Sequence, residues 1–104
     1  CFSENEYISQ AGYCRGGTSG SERVNGMSKT GSTDSACKAS CDSFSTTCVG
    51  YAFKSTSARC FLYGSMTTTS GWMLDSHTTK TISGASGASG VTCHFKSHLT
   101  PSTQ

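Results

Sequence analysis

Apolar residues in this chain come in short pieces rather than long runs. The first thirty positions, CFSENEYISQAGYCRGGTSGSERVNGMSKT, carry Tyr7 and Ile8, then Tyr13, then Val24 and Met27, each set off by glycine and serine. Such spacing predicts short strands joined by turns. From position 33 the period changes. Ala36, Cys37, Ser40, Cys41 and Phe44 follow at steps of one, three, one and three, the inward stripe of a 3.6-residue helix. Thr33 stands before them as a hydroxyl cap for the first free N–H groups, and Asp34 sits beside the positive helix end. A helix of about three turns is expected, too short to persist on propensity alone. Cys37 and Cys41 point into the domain, and Lys38 and Asp42 toward solvent.

The period then falls to two. In CVGYAF, Cys48 to Phe53, the residues Val49, Tyr51 and Phe53 are expected on one face of a strand. After the polar turn KSTSA a second strand, RCFLYG, runs from Arg59 to Gly64, and the pair predicts an antiparallel hairpin. SMTTTSGWMLDSHTTKTI has one strong anchor, Trp72, among hydroxyl-rich flanks. SGASGASG, Ser83 to Gly90, is a small tandem repeat whose composition forms no packed element, so a flexible surface loop is expected there. VTCHFKSHL supplies a last strand and TPSTQ a tail.

So broken a pattern cannot bury much apolar area. Hydrophobic residues are 34% of 104 residues even with cysteine counted, in a chain of one domain's length. Something besides a large core must hold the fold. The seven cysteines are the candidates, because small secreted domains replace missing core with disulfides. A secreted, extracellular protein is therefore expected. Cys1 at the start suits a mature form whose signal peptide has been removed. No apolar run approaches the roughly 20 residues that cross a bilayer, so no membrane insertion is expected.

Charge narrows the partners further. The net charge is +2, and charged residues are 13% of the chain, about half the usual share. Arg15, Arg23 and Arg59, like the five lysines, are dispersed in sequence. A surface that tracks phosphates needs clustered positive charge, so nucleic acid is not an expected partner. Serine and threonine make up roughly a third of the chain, far above ordinary usage. Neither Asn5 nor Asn25 begins an Asn-x-Ser/Thr sequon, which excludes N-glycosylation. O-linked glycans are expected on the hydroxyl runs, chiefly Thr67, Thr68, Thr69, Thr78, Thr79, Thr100, Ser102 and Thr103.

The cysteines admit three chemistries. Zinc would draw on Cys37 and Cys41 with His94 and His98, but structural zinc sites usually take cysteines from a short turn. The two histidines, four apart on an expected strand, would stand about 13 Å from each other. A catalytic thiol would need a histidine and an orienting group. His77, His94 and His98 form no such constellation, and no G-x-S-x-G elbow, phosphate loop or calcium loop occurs. No metal, cofactor or enzymatic activity is expected. Disulfide staples remain, and six cysteines allow 15 pairings among which spacing does not choose.

The block TDSACKASCDSFSTTCVGYAF, followed by RCFLYG and a late VTCHFK, resembles the PAN/apple domain family. It has the capped helix bearing C-x3-C, a short loop to a third cysteine, a strand of the form C-x-G-aromatic, and a cysteine opening the next strand. The likeness runs from Gly12 to Lys96. It implies a small disulfide-stapled α+β domain, a five-stranded antiparallel sheet cradling one short helix, over residues 12–97. Residues 1–11 become an N-terminal segment with an extra cysteine, and residues 98–104 a C-terminal tail. It also implies the pairs Cys14–Cys93, Cys37–Cys60 and Cys41–Cys48. Cys1 is left over for a disulfide between chains, the competing arrangement being that it pairs with Cys14 or Cys93 and frees another cysteine.

For function, the resemblance implies a non-catalytic adhesion module making protein or carbohydrate contacts in an extracellular matrix or surface assembly. Trp72, Tyr63 and Tyr51 are the candidate aromatic platform, with Arg59 or Asp75 for ligand hydroxyls. The alternative is a self-assembling structural subunit of an O-glycosylated fibre, a homo-oligomer or filament drawing on Cys1 and the hydroxyl-rich surface.

Overall fold

A computed structural model describes residues 7–17, 20–44, 47–65 and 71–96. In chain order the elements are β1 (Tyr7–Ala11), β2 (Cys14–Gly16), β3 (Glu22–Arg23), β4 (Gly26–Lys29), α1 (Asp34–Ser43), β5 (Cys48–Lys54), β6 (Arg59–Gly64), β7 (Met73–Asp75), β8 (Gly84–Ala85) and β9 (Val91–Lys96). Six strands form an antiparallel sheet in the order β1-β9-β5-β6-β4-β7, and β3-β2-β8 form a second, smaller one. The protein is thus α+β, with one helix among the described residues and three disulfides.

The helix begins where the cap directs it, with Thr33 Oγ1 accepting a hydrogen bond from the Ala36 N–H at 3.1 Å. Cys37 and Cys41 are fully buried, whereas Ser40 and Phe44 are half-buried and Ala36 is exposed. The helix therefore meets the large sheet along a narrow seam. Cys37–Cys60 ties it to β6, and Cys41–Cys48 ties it to the start of β5. Met27, Tyr51 and Leu62 fill the space between helix and sheet.

The opposite face of the large sheet carries a second core of Val24, Ala52, Tyr63, Ile82 and Val91 around Cys14 and Cys93. Here the small sheet packs, and Cys14–Cys93 joins β2 to β9. These bonded pairs coincide with those the resemblance implies.

Three features depart from the sequence expectations. The large sheet has six strands, not five, and its margin reaches into the segment assigned to the N-terminus. β1 lies in full register along β9, from Tyr7 opposite Lys96 to Ala11 opposite Thr92. Val49 does not share a face with Tyr51 and Phe53. The register shifts between Cys48 and Gly50, and this bulge turns Val49 onto the second core while Tyr51 and Phe53 stay with the first. SGASGASG is not a free loop. Gly84 and Ala85 pair with β2, Gly87 N–H donates to the Ala11 carbonyl at 2.9 Å, and Ala85 and Ala88 pack on the second core. Small side chains let this strip lie directly against Gly12, where a Cβ would collide with the Gly87 backbone.

On the helix side, the Tyr7 hydroxyl donates to Asp42 Oδ1 at 2.6 Å and its ring meets Tyr51 edge-on at 5.1 Å. Burial, and then the bond to Asp42, pushes the Tyr7 pKa up. Burial raises Tyr51 to about 12 and also raises Tyr63. The pH consequence follows from sign. Stability is fully present below about pH 10, where tyrosine is neutral in both states. Above it the unfolded chain ionises first, so stability falls as pH rises toward the folded values. Phenolate absorbance from Tyr7, Tyr51 and Tyr63 is expected to appear together with loss of near-ultraviolet circular dichroism. Ionisation of all of them near pH 10 in a chain that stays folded would contradict the packing described.

Candidate binding cleft

Alternation along β6 sends Cys60 and Leu62 to the helix side and Arg59, Phe61 and Tyr63 to the other. Beside them β4 presents only Gly26 and Ser28 on that face, and beyond β4 stand Met73 and Asp75 of β7. Two small residues between two ridges leave a trough. Tyr13, Arg15 of β2 and Arg23 of β3 also line it, and the resulting cleft has a volume of about 330 Å³, within the range of small-ligand sites.

Its wall is aromatic. Phe61 and Tyr63 stack with centroids 6.4 Å apart and planes 11° off parallel, and Tyr13 meets Phe61 edge-on at 5.4 Å. Arginines lie over two of these rings. Arg15 Cζ is 5.6 Å from the Tyr13 centroid, and Arg59 Cζ is 5.8 Å from that of Phe61. Arg15 Nη1 also donates to the Cys14 carbonyl at 3.0 Å. Arg59 Nη2 lies 3.8 Å from the Met73 sulfur, and its buried Nε has no hydrogen-bond partner among the described residues. Asp75 Oδ1 is 3.1 Å from His77 Nε2, close enough for an ion pair whenever the imidazole is protonated. Burial is the main reason the Tyr63 hydroxyl resists ionisation, with Arg15 and the Cys14 backbone pulling the other way.

The residues expected to bind ligand are divided by the large sheet. Tyr63 and Asp75 line the cleft. Arg59 lies beside it, over Phe61. Trp72 packs instead against the helix-side core, with Lys29 Nζ 5.3 Å from its ring centroid. Tyr51 is a core residue, stacked at 4.7 Å on His94, whose pKa burial lowers. Tyr13, Phe61, Arg15 and Arg23 belong to the cleft and went unnoticed in sequence. The alternation of RCFLYG carried the signal for Phe61, because a residue between Cys60 and Leu62 must face away from the helix.

No family model, curated protein or solved structure matches the chain. Among the described residues no three His, Cys, Asp or Glu side chains converge as a metal site, and no helix is long and apolar enough to cross a membrane. Of the hydroxyls expected to carry glycans, Thr78 is exposed, whereas Thr79 Oγ1 donates to Glu22 Oε1 at 2.7 Å and is engaged. Thr67, Thr68, Thr69, Thr100, Ser102 and Thr103 lie outside the described residues, as do Cys1 and His98.

Proposed function

We propose that this chain is a secreted, non-catalytic PAN/apple-like adhesion module whose cleft binds carbohydrate. The observation that carries this reading is the aromatic wall of Tyr13, Phe61 and Tyr63 along a trough edged by polar groups. Flat rings accept the C–H face of a sugar, while Asp75, Ser28 and the arginines meet its hydroxyls. Three disulfides in so small a domain are consistent with an extracellular setting. The resemblance of the cysteine framework to PAN/apple domains supports the same class.

A second reading, a fibre subunit, is favoured by the margins of the large sheet. Strands β1 and β7 end its order, with Ile8, Met73 and Leu74 exposed along them, and open edges are templates for pairing with another chain. Two measurements separate the readings. On a glycan array the native protein should retain saccharides, with retention falling at least tenfold in Tyr13→Ala. On gel filtration it should run as a monomer. A protein that retains no saccharide and elutes as a polymer would replace the first reading by the second.

A further inference from the structure

We propose that the saccharide taken by the cleft is acidic, and that its carboxylate or sulfate sits between Arg15 and Arg23. This rests on the carbohydrate reading and adds a charge to it. Arg15 and Arg23 are direct cross-strand partners in the β2–β3 ladder, and both line the cleft. Like charges placed opposite each other on neighbouring strands destabilise the pair. Arg15 meets the Tyr13 ring and the Cys14 carbonyl, and neither carries a compensating negative charge. Among the described residues no carboxylate makes an ion pair with either arginine, and neighbouring Glu22 accepts a hydrogen bond from Thr79. Asp75, the acidic residue of the cleft, lies against His77.

An anion bridging two guanidinium groups converts that repulsion into charge-assisted hydrogen bonds. The third arginine of the chain, Arg59, is held on the same face over Phe61. Residues remote in sequence thus give a small cleft both a cationic pair and an aromatic wall. A sugar ring bearing a negative group matches both, whereas a neutral sugar leaves the arginine pair uncompensated. An extended polyanion is a poorer fit, since a groove that follows a phosphate backbone needs positive charge along its length.

Thermal unfolding and calorimetric titration of the full chain test this with a matched set of probes: a neutral disaccharide, its uronic acid counterpart and its sulfated counterpart. At least one acidic probe should bind tenfold or more tightly than the neutral one, and that advantage should shrink as salt is raised. Whichever acidic probe binds more tightly identifies the anionic group. Arg23→Gln should abolish the preference and, without ligand, melt slightly above the wild type because the repulsion is gone. Lys38→Gln, which removes the same charge from the helix on the far side of the large sheet, should keep the preference. Equal binding of neutral and acidic probes, or a preference surviving in Arg23→Gln, would overturn the proposal and leave the carbohydrate reading standing. Absence of binding by every saccharide probe would overturn both, and tighter binding of an oligonucleotide than of any acidic saccharide would overturn the assignment of ligand class.

Discussion

Removing the Cys14–Cys93 bond, by changing both residues to serine so that no lone thiol remains, is expected to destabilise the protein more than removing either other bridge. The two cysteines are 79 positions apart. Closing a loop of that size lowers the entropy of the unfolded chain by an amount equivalent to about 4.5 kcal/mol. The same relation gives about 3.4 kcal/mol for Cys37–Cys60 and about 2.5 kcal/mol for Cys41–Cys48, whose separations are 23 and 7. A small domain has a net stability of only about 5 to 15 kcal/mol, so loss of the longest bridge leaves little. The bond also joins the small sheet to β9, and therefore holds the walls of the cleft together. Denaturant midpoints of the three double-serine variants should fall in that order. A Cys14→Ser/Cys93→Ser protein with the wild-type midpoint would contradict the account.

Gly64→Ala is the second change expected to have a large effect. Gly64 closes β6 opposite Cys48, where β5 bulges, with φ of 145°. Residues with a Cβ scarcely enter that conformation. Space is lacking too, because a Cβ would fall well inside contact distance of the Thr47 carbonyl oxygen. The backbone cannot yield cheaply. The Gly64 N–H donates to the Asn25 carbonyl at 2.8 Å, and the Asn25 side-chain amide donates to the Gly64 carbonyl at 2.7 Å. Asn25 is itself buried, and its Oδ1 accepts from the His77 N–H at 3.1 Å. Strain and broken bonds together are expected to cost about 3 to 5 kcal/mol. Thermal unfolding checks this, and a melting temperature unchanged in Gly64→Ala would show that the turn has slack the structure does not display.

Helix α1 and the β5–β6 hairpin were legible in sequence because each satisfies a local rule. Thr33 caps, Cys37 and Cys41 keep helical spacing, and RCFLYG alternates. The remainder obeys no local rule. Strands of two or three residues, such as β3, β7 and β8, are too short to display a period, and they exist because neighbouring strands supply their hydrogen bonds. A bulge leaves no compositional trace, so simple alternation puts Val49 on the wrong face. The cleft was hidden for a related reason. Arg15 and Arg23 look dispersed along the chain, yet a hairpin-like return sets them opposite each other. Trp72 attracted attention by its size, but a chain with one tryptophan and little apolar area uses it against the core.

The pairing of β1 with β9 determines how the module bears a load. Tyr7 and Lys96 are direct partners, so tension applied at these two points pulls across the ladder and opens it one pair at a time, instead of shearing all its bonds at once. Opening proceeds only as far as the Cys14–Cys93 bond. Beyond that point the pull passes through two sulfur atoms, and the chain between them, with the helix, the hairpin and every cleft residue except Tyr13, is bypassed. Under strain the domain would lengthen by a few residues at each end and then stop, with Tyr13 drawn away but the arginine pair and the stacked Phe61 and Tyr63 still in place.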